Sequence, residues 1–273
     1  MLWNRTSAGL AAAAGVLNGM TAVAEDKPAA DKPVADKAAV DGAFEALKSY
    51  DWGAEYQLLK PIDDAIVATQ GNAAARLELE NRLAAVLKTG ASRDAKDYVC
   101  RKLTVIGTAA SVPTLAGLLG DKDSAHMGRY ALERIPAAEA ATALRDALPK
   151  LSGALKVGAI GSLGARRDAA SVSVLAGLLK DADSAIAAAA ACALGDIGNA
   201  EAAKALGGFV KTASDAVKPA ATDALLVAAE QLLAVGKKAD AMLIYKSLSG
   251  DDQPKHVRLA ATRGLLVATG KKN

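Results

Sequence analysis

Two ladders of leucine constrain this chain more than any other feature. Leu103, Leu132, Leu163, Leu194 and Leu225 recur at intervals of 29, 31, 31 and 31 residues. Leu115, Leu144, Leu175 and Leu206 follow behind them at 29, 31 and 31. Two offset series sharing one period describe a two-helix unit repeated along the chain. A single helical hairpin cannot cover its own apolar face, so the units must stack. The expected fold is therefore all-α, a right-handed α-solenoid of two-helix repeats with an armadillo-type superhelix.

Composition agrees with that geometry. Of 273 residues, 52% are apolar but only 3% aromatic, and alanine supplies much of the apolar share. Alanine has little side-chain area to bury and the best helix propensity. Such a core holds only where helices approach closely. The net charge of +3 is too small to indicate nucleic acid or an anionic membrane.

Residues 1–24 read as a secretory signal: Arg5 in a short n-region, an Ala-rich stretch from Leu10 to Leu17, and Ala22-Val23-Ala24 as the cleavage site. Gly15, Asn18 and Gly19 break the apolar stretch too early for a bilayer span. The residue after the cleavage site is Glu25 and not a cysteine, so no lipoprotein anchor is expected. The mature chain, starting at Glu25, is expected to be periplasmic or secreted. Residues 25–40 carry Asp-Lys pairs every five residues with Pro28 and Pro33, and are expected to form a solvated, extended tether.

Residues 41–92 are helical in pattern but lack the 31-residue signature, as befits a terminal cap. Within this block, Pro61 is expected to bend a helix. The solenoid is expected over 93–270, with helices near 95–106 and 111–119 in its first unit. Later units span about 124–150, 151–181 and 184–212. SVPTLAGLLGDKDS (111–124) matches SVSVLAGLLKDADS (171–184) at an offset of 60 residues. Ser111 and Ser171 are expected to cap helices, and Pro113 falls in a first turn. A longer hairpin near 217–248, hinged at Gly236, looks somewhat like a tetratricopeptide repeat.

The segments Cys100-Arg101-Lys102-Leu103 with Ile106-Gly107, Met127 to Leu132, Gly161-Ser162-Leu163-Gly164 and Ala193 to Gly198 resemble bacterial HEAT-repeat proteins of the short type, related to the repeats of phycobilin lyases. The likeness covers about 95–270. It looks most like secreted members of planctomycete- and verrucomicrobia-type bacteria. The resemblance implies a binding surface and maps no catalytic residue onto this chain.

Little in the sequence carries chemistry. His126 and His256 lie four ladder intervals apart, so no shared metal site is expected. Asp121-Lys122-Asp123-Ser124 and Asp181-Ala182-Asp183-Ser184 suggest calcium loops, but His126 and Ile186 stand where the loop glycine belongs. These are expected to be turns whose Asp or Ser caps the next helix. No nucleophile elbow, phosphate loop or zinc motif is present, and no cofactor is expected. Cys100 and Cys192 lie three repeats apart, too far for a disulfide, and are expected to be two unpaired, mostly buried thiols.

Two groups stand out as candidate partner-binding residues. Arg166 and Arg167, with Asp168, fill the turn of the third unit and are expected to be exposed; a solvated turn with an internal ion pair competes with a binding role there. Trp52 and Tyr56, with Phe44 and Tyr50, form the one dense aromatic patch; core packing of the cap competes with a binding role there. The leading expectation is a non-catalytic protein-protein interaction scaffold in the cell envelope with an unidentified protein partner. The alternative is a phycobilin-lyase-like enzyme or chaperone acting on a prosthetic group or modified protein.

Overall fold

The computed structural model describes residues 36–270. The expected signal segment and residues 25–35 of the expected tether lie outside them. Among the described residues the chain forms fourteen α-helices and no strand. None of these helices is long and apolar enough to cross a membrane.

Helices α1 (Lys37–Lys48), α2 (Lys60–Ala68) and α3 (Ala73–Val86) make the N-terminal block. The helix starts earlier than the expected tether boundary at residue 40. Asp36 accepts a hydrogen bond from the Ala38 amide at 3.0 Å and so begins α1 at Lys37. Pro61 does not bend a helix; it sits in the first turn of α2, where its missing N–H costs nothing.

The repeats follow as α4 (Arg93–Ile106) with α5 (Val112–Ala116), α6 (Ala125–Arg134) with α7 (Ala138–Ala147), α8 (Gly153–Ala165) with α9 (Val172–Leu178), and α10 (Ser184–Ile197) with α11 (Ala200–Val210). The last elements are α12 (Lys218–Ala234), α13 (Lys238–Leu248) and α14 (Lys255–Thr269). The first helices of successive units pack in one column, α4 on α6, α6 on α8, α8 on α10, α10 on α12. The first leucine ladder lies in that column and the second in α5, α7, α9 and α11. All nine rungs are buried, and eight of them are fully inaccessible to solvent. At roughly 25 cal/mol per Å² of apolar area removed from water, this leucine seam with the alanines around it is the main source of cohesion.

Small residues set the spacing. A methyl group on Gly195 would meet the Ala224 backbone oxygen at 2.8 Å, and one on Gly164 would meet the Ala193 Cα at 2.8 Å. Both glycines let adjacent helices of the column touch backbone to backbone. Gly107 ends α4 in extended geometry, with φ −64° and ψ 141°; a methyl there would strike the Leu103 carbonyl oxygen at 2.4 Å. Its smallness, not a left-handed conformation, suits it to that corner.

Several caps differ from expectation. Asp183 accepts from the Ala185 amide at 2.9 Å, as its turn position suggests. Ser111, Ser124 and Ser171 occupy cap positions without capping through their side chains. Their hydroxyls donate instead to the Thr108 carbonyl, Asp121 and Asp168. The amides opening α5 are served from another helix: fully buried Glu80 of α3 accepts from Thr108 N at 2.7 Å and Ser111 N at 3.1 Å. A buried carboxylate paired in this way meets the requirement that interior charge be hydrogen-bonded.

Candidate functional site

The two sequence candidates come apart in the structure. Arg166 ends α8 and is not an exposed anchor. Its guanidinium turns back onto the preceding unit and donates to the carbonyls of Leu132, Glu133 (3.2 Å), Ile135 (2.6 Å) and Ala137 (3.0 Å). Leu132, Glu133 and Ile135 carry carbonyls that the end of α6 leaves without helical partners, and Ala137 stands just before α7. Burial pushes the guanidinium's pKa down, against the pull of Asp168 and Glu133. The expected ion pair within the turn is also absent: Asp168 pairs with Arg145 of α7. Arg167 is exposed and holds a φ of 51°, the one non-glycine in the left-handed region among the described residues.

The aromatic patch divides as well. Phe44 and Tyr50 are buried in the core, whereas Trp52 is 71% exposed and Tyr56 47%. Trp52 and Tyr56 stand on the wall of a cleft of about 260 Å³ between the α1–α2 connection and α4, with Asp94, Asp97, Arg101 and Lys102 opposite.

The sequence holds this cleft open from both sides. Ser92 opens α4: its hydroxyl accepts from the Ala95 amide at 3.0 Å and donates to the Tyr50 carbonyl. That bond ties the connecting loop to the helix. The Trp52 amide donates to Asp94 at 3.0 Å and to Asp51 at 3.1 Å. Gly53 then turns the chain with φ 99°, a value a side chain would strain. The backbone beneath Trp52 is thus fixed while its indole stays in solvent.

The floor is a hydrogen-bonded polar cluster. Asp63 of α2 accepts from the Tyr98 hydroxyl at 2.9 Å and from the Tyr56 hydroxyl, and the Lys102 ammonium lies 2.6 Å away. Burial alone would raise the Asp63 pKa; hydrogen bonds from Lys102, Tyr56 and Tyr98 outweigh it and hold the carboxyl below its ordinary value. The Tyr98 hydroxyl is pushed well above the ordinary tyrosine range by burial and by the charge of Asp63. Tyr50 and Tyr98 rings lie 6.4 Å apart, as do Tyr56 and Tyr98. On the rim, Arg101 pairs with Asp97 at 2.7 Å.

Composition alone could not have singled out Asp94, Tyr98 or Lys102, because they sit within a repeat helix. Their spacing was the available signal: Asp94, Asp97, Tyr98, Arg101 and Lys102 fall at i, i+3, i+4, i+7 and i+8 and share one helix face.

Other clusters offer less. A hollow of about 500 Å³ between α12 and α14 is walled by Lys218, Asp223 and His256. His256 Nε2 lies 3.9 Å from Asp223, both largely solvated. No group of three metal-ligating side chains occurs among the described residues. Both cysteines are free, but Cys192 is exposed, contrary to expectation, because it faces outward from α10. Cys100 is buried, and burial pushes its thiol up to about 12.

The cleft therefore presents aromatic faces and ordered charges, with no arrangement of nucleophile and base. None of the curated proteins matches the chain. A crystal structure of an engineered protein is similar to it at 23% identity and a TM-score of 0.36, covering 70% of this chain and 97% of that one. The family described as HEAT repeats matches residues 141–226, a stretch running from α7 into α12. Residues 141–226 are thus similar to HEAT repeats in sequence, and there the chain folds as stacked two-helix units.

Proposed function

We propose that this chain is a non-catalytic binding module that engages a protein partner, acting in the cell envelope once residues 1–24 are removed. HEAT repeats commonly serve as protein-interaction scaffolds, and stacked helices offer long surfaces to extended partners. One observation carries the location of the contact: Trp52 is 71% exposed while its backbone is pinned by Asp51 and Asp94. An exposed tryptophan on a fixed backbone returns nothing to folding, and tryptophan leads the residue types found at binding hot spots. Arg167 supplies a second exposed point on the solenoid.

The test is a crosslinked pull-down from the native cell envelope with the mature chain as bait, beside a Trp52→Ala/Tyr56→Ala double variant. A stoichiometric protein captured by the wild type and lost with the double variant supports the reading. A partner retained by the double variant but lost with Arg167→Ala moves the contact to the third unit. An intact mass beginning at Glu25 in the envelope fraction tests the localisation.

A further inference from the structure

We infer that the cleft beside Trp52 takes a lysine or arginine side chain from an extended segment of the partner protein. This rests on reading the cleft as the docking face and adds what that face selects.

Aromatic rings near this end of the chain are met by cations of the chain itself. Arg82 lies 4.2 Å over the Phe44 ring, with Asp41 at 2.7 Å as its carboxylate. Lys102 lies 4.7 Å over Tyr98, with Asp63 at 2.6 Å. Arg101 and Arg134 lie 5.8 Å and 3.8 Å from the Tyr130 ring centre. A cation held between a ring face and a carboxylate is the recurring local solution. Trp52 has the ring, with Asp51 and Asp94 held at its backbone amide, and among the described residues no cation stacks on it.

Counting the charges sharpens this. Around the cleft stand Asp51, Asp63, Asp94 and Asp97 against Arg93, Arg101 and Lys102, a surplus of one negative charge. Lys102 is committed to Asp63 and Arg101 to Asp97. Arg93 reaches Asp94 only at 3.4 Å, with its side chain 60% exposed. Asp94 is held below its ordinary pKa chiefly by the hydrogen bond from the Trp52 amide. An acidic segment would meet this surplus and find the cleft's lysine and arginine already paired. A basic side chain would meet an uncommitted indole face and an ionised carboxylate.

Trp3 and Trp52 are the two tryptophans of the chain, so the difference between wild type and Trp52→Phe isolates the cleft's share of the fluorescence. The full chain is titrated at low salt with three blocked decapeptides that differ only in two central residues: arginine, glutamate or norleucine. The expected result is a saturable change with the arginine peptide alone, absent in Trp52→Phe. Affinity should fall about tenfold in Asp94→Asn, where the Trp52 amide keeps an acceptor but the charge is gone. If the glutamate or norleucine peptide binds as tightly, or Asp94→Asn binds like wild type, the inference fails while the cleft stands as a docking face. If none of the three peptides moves the Trp52 signal, the docking reading falls with it.

Discussion

The turn at Arg166 and the loop at Trp52 looked alike as candidates and were put to opposite uses. Both are short connections carrying a residue type favoured at interfaces. Arg166 turns its terminal amino groups onto carbonyls at the end of α6 and the start of α7 and joins two repeats. Trp52 gives the fold its backbone amide and leaves its side chain outside. A repeat stack places the end of each helix beside the next unit, so a long cation at a turn finds carbonyls to satisfy. Among the described residues no repeat packs ahead of the N-terminal block, and two of its aromatic residues, Trp52 and Tyr56, stay exposed.

The largest test of that contrast is in the stack itself. Leu163→Asp puts a carboxylate where no solvent reaches and should cost more than about 4 kcal/mol, losing helicity across the third and fourth units. A circular-dichroism melt matching wild type would show that the ladder does not set the core. Next, Arg166→Ala should cost about 1–3 kcal/mol by stripping buried carbonyls of their donor. Arg167→Gly, one residue on, should gain up to about 1 kcal/mol by relieving the left-handed φ of 51°. Equal effects from the two would remove the distinction between a cap and an exposed turn.

Glycines test close approach at smaller scale. Gly195→Ala should lose about 1 kcal/mol net, overpacking against Ala224 outweighing the better helix propensity. Gly161→Ala, with open space around it, should gain about 1 kcal/mol. Chemical denaturation of both variants gives the sign directly.

In the N-terminal block, Asp63 should steepen acid unfolding. Its folded pKa lies below the ordinary 3.8, so its contribution is present above that value and is lost as pH falls through the lower one. Asp63→Asn should flatten stability against pH below about 4, and an unchanged acid limb would dissolve the cluster under the cleft. The smallest effect is reserved for Trp52→Ala, which should move stability by no more than about 0.5 kcal/mol. A larger loss would mean that the indole supports the fold and is not held out for a partner.

Much of the architecture was legible beforehand. The repeat pattern placed helices near 95–106 and 111–119, where α4 runs Arg93–Ile106 and α5 Val112–Ala116. Repetition made this possible, because each unit checks the register of the next. Side-chain use was less legible. Ser111 and Ser171 stand where caps stand, yet neither hydroxyl caps, and the Ser111 amide is itself bound by Glu80, 31 residues earlier. Cys192 carries no mark in the sequence of facing outward, since its neighbours Ala191 and Ala193 are both buried. Half of the candidate cleft, Trp52 and Tyr56, stood out as aromatic in an aromatic-poor chain. The α4 half did not, because charged residues at helical spacing usually mark a solvated face.

By itself, then, the sequence determined the repeat, the helices and which leucines are buried. Those depend on periodicity, and apolar burial is set by spacing along the chain. Only the tertiary structure decided that Arg166 is a cap, that Glu80 is buried and satisfied, and that Asp94 and Trp52 meet across 42 residues. Polar partnerships depend on direction and on distances of about 3 Å, which are fixed only when one helix has been laid against another.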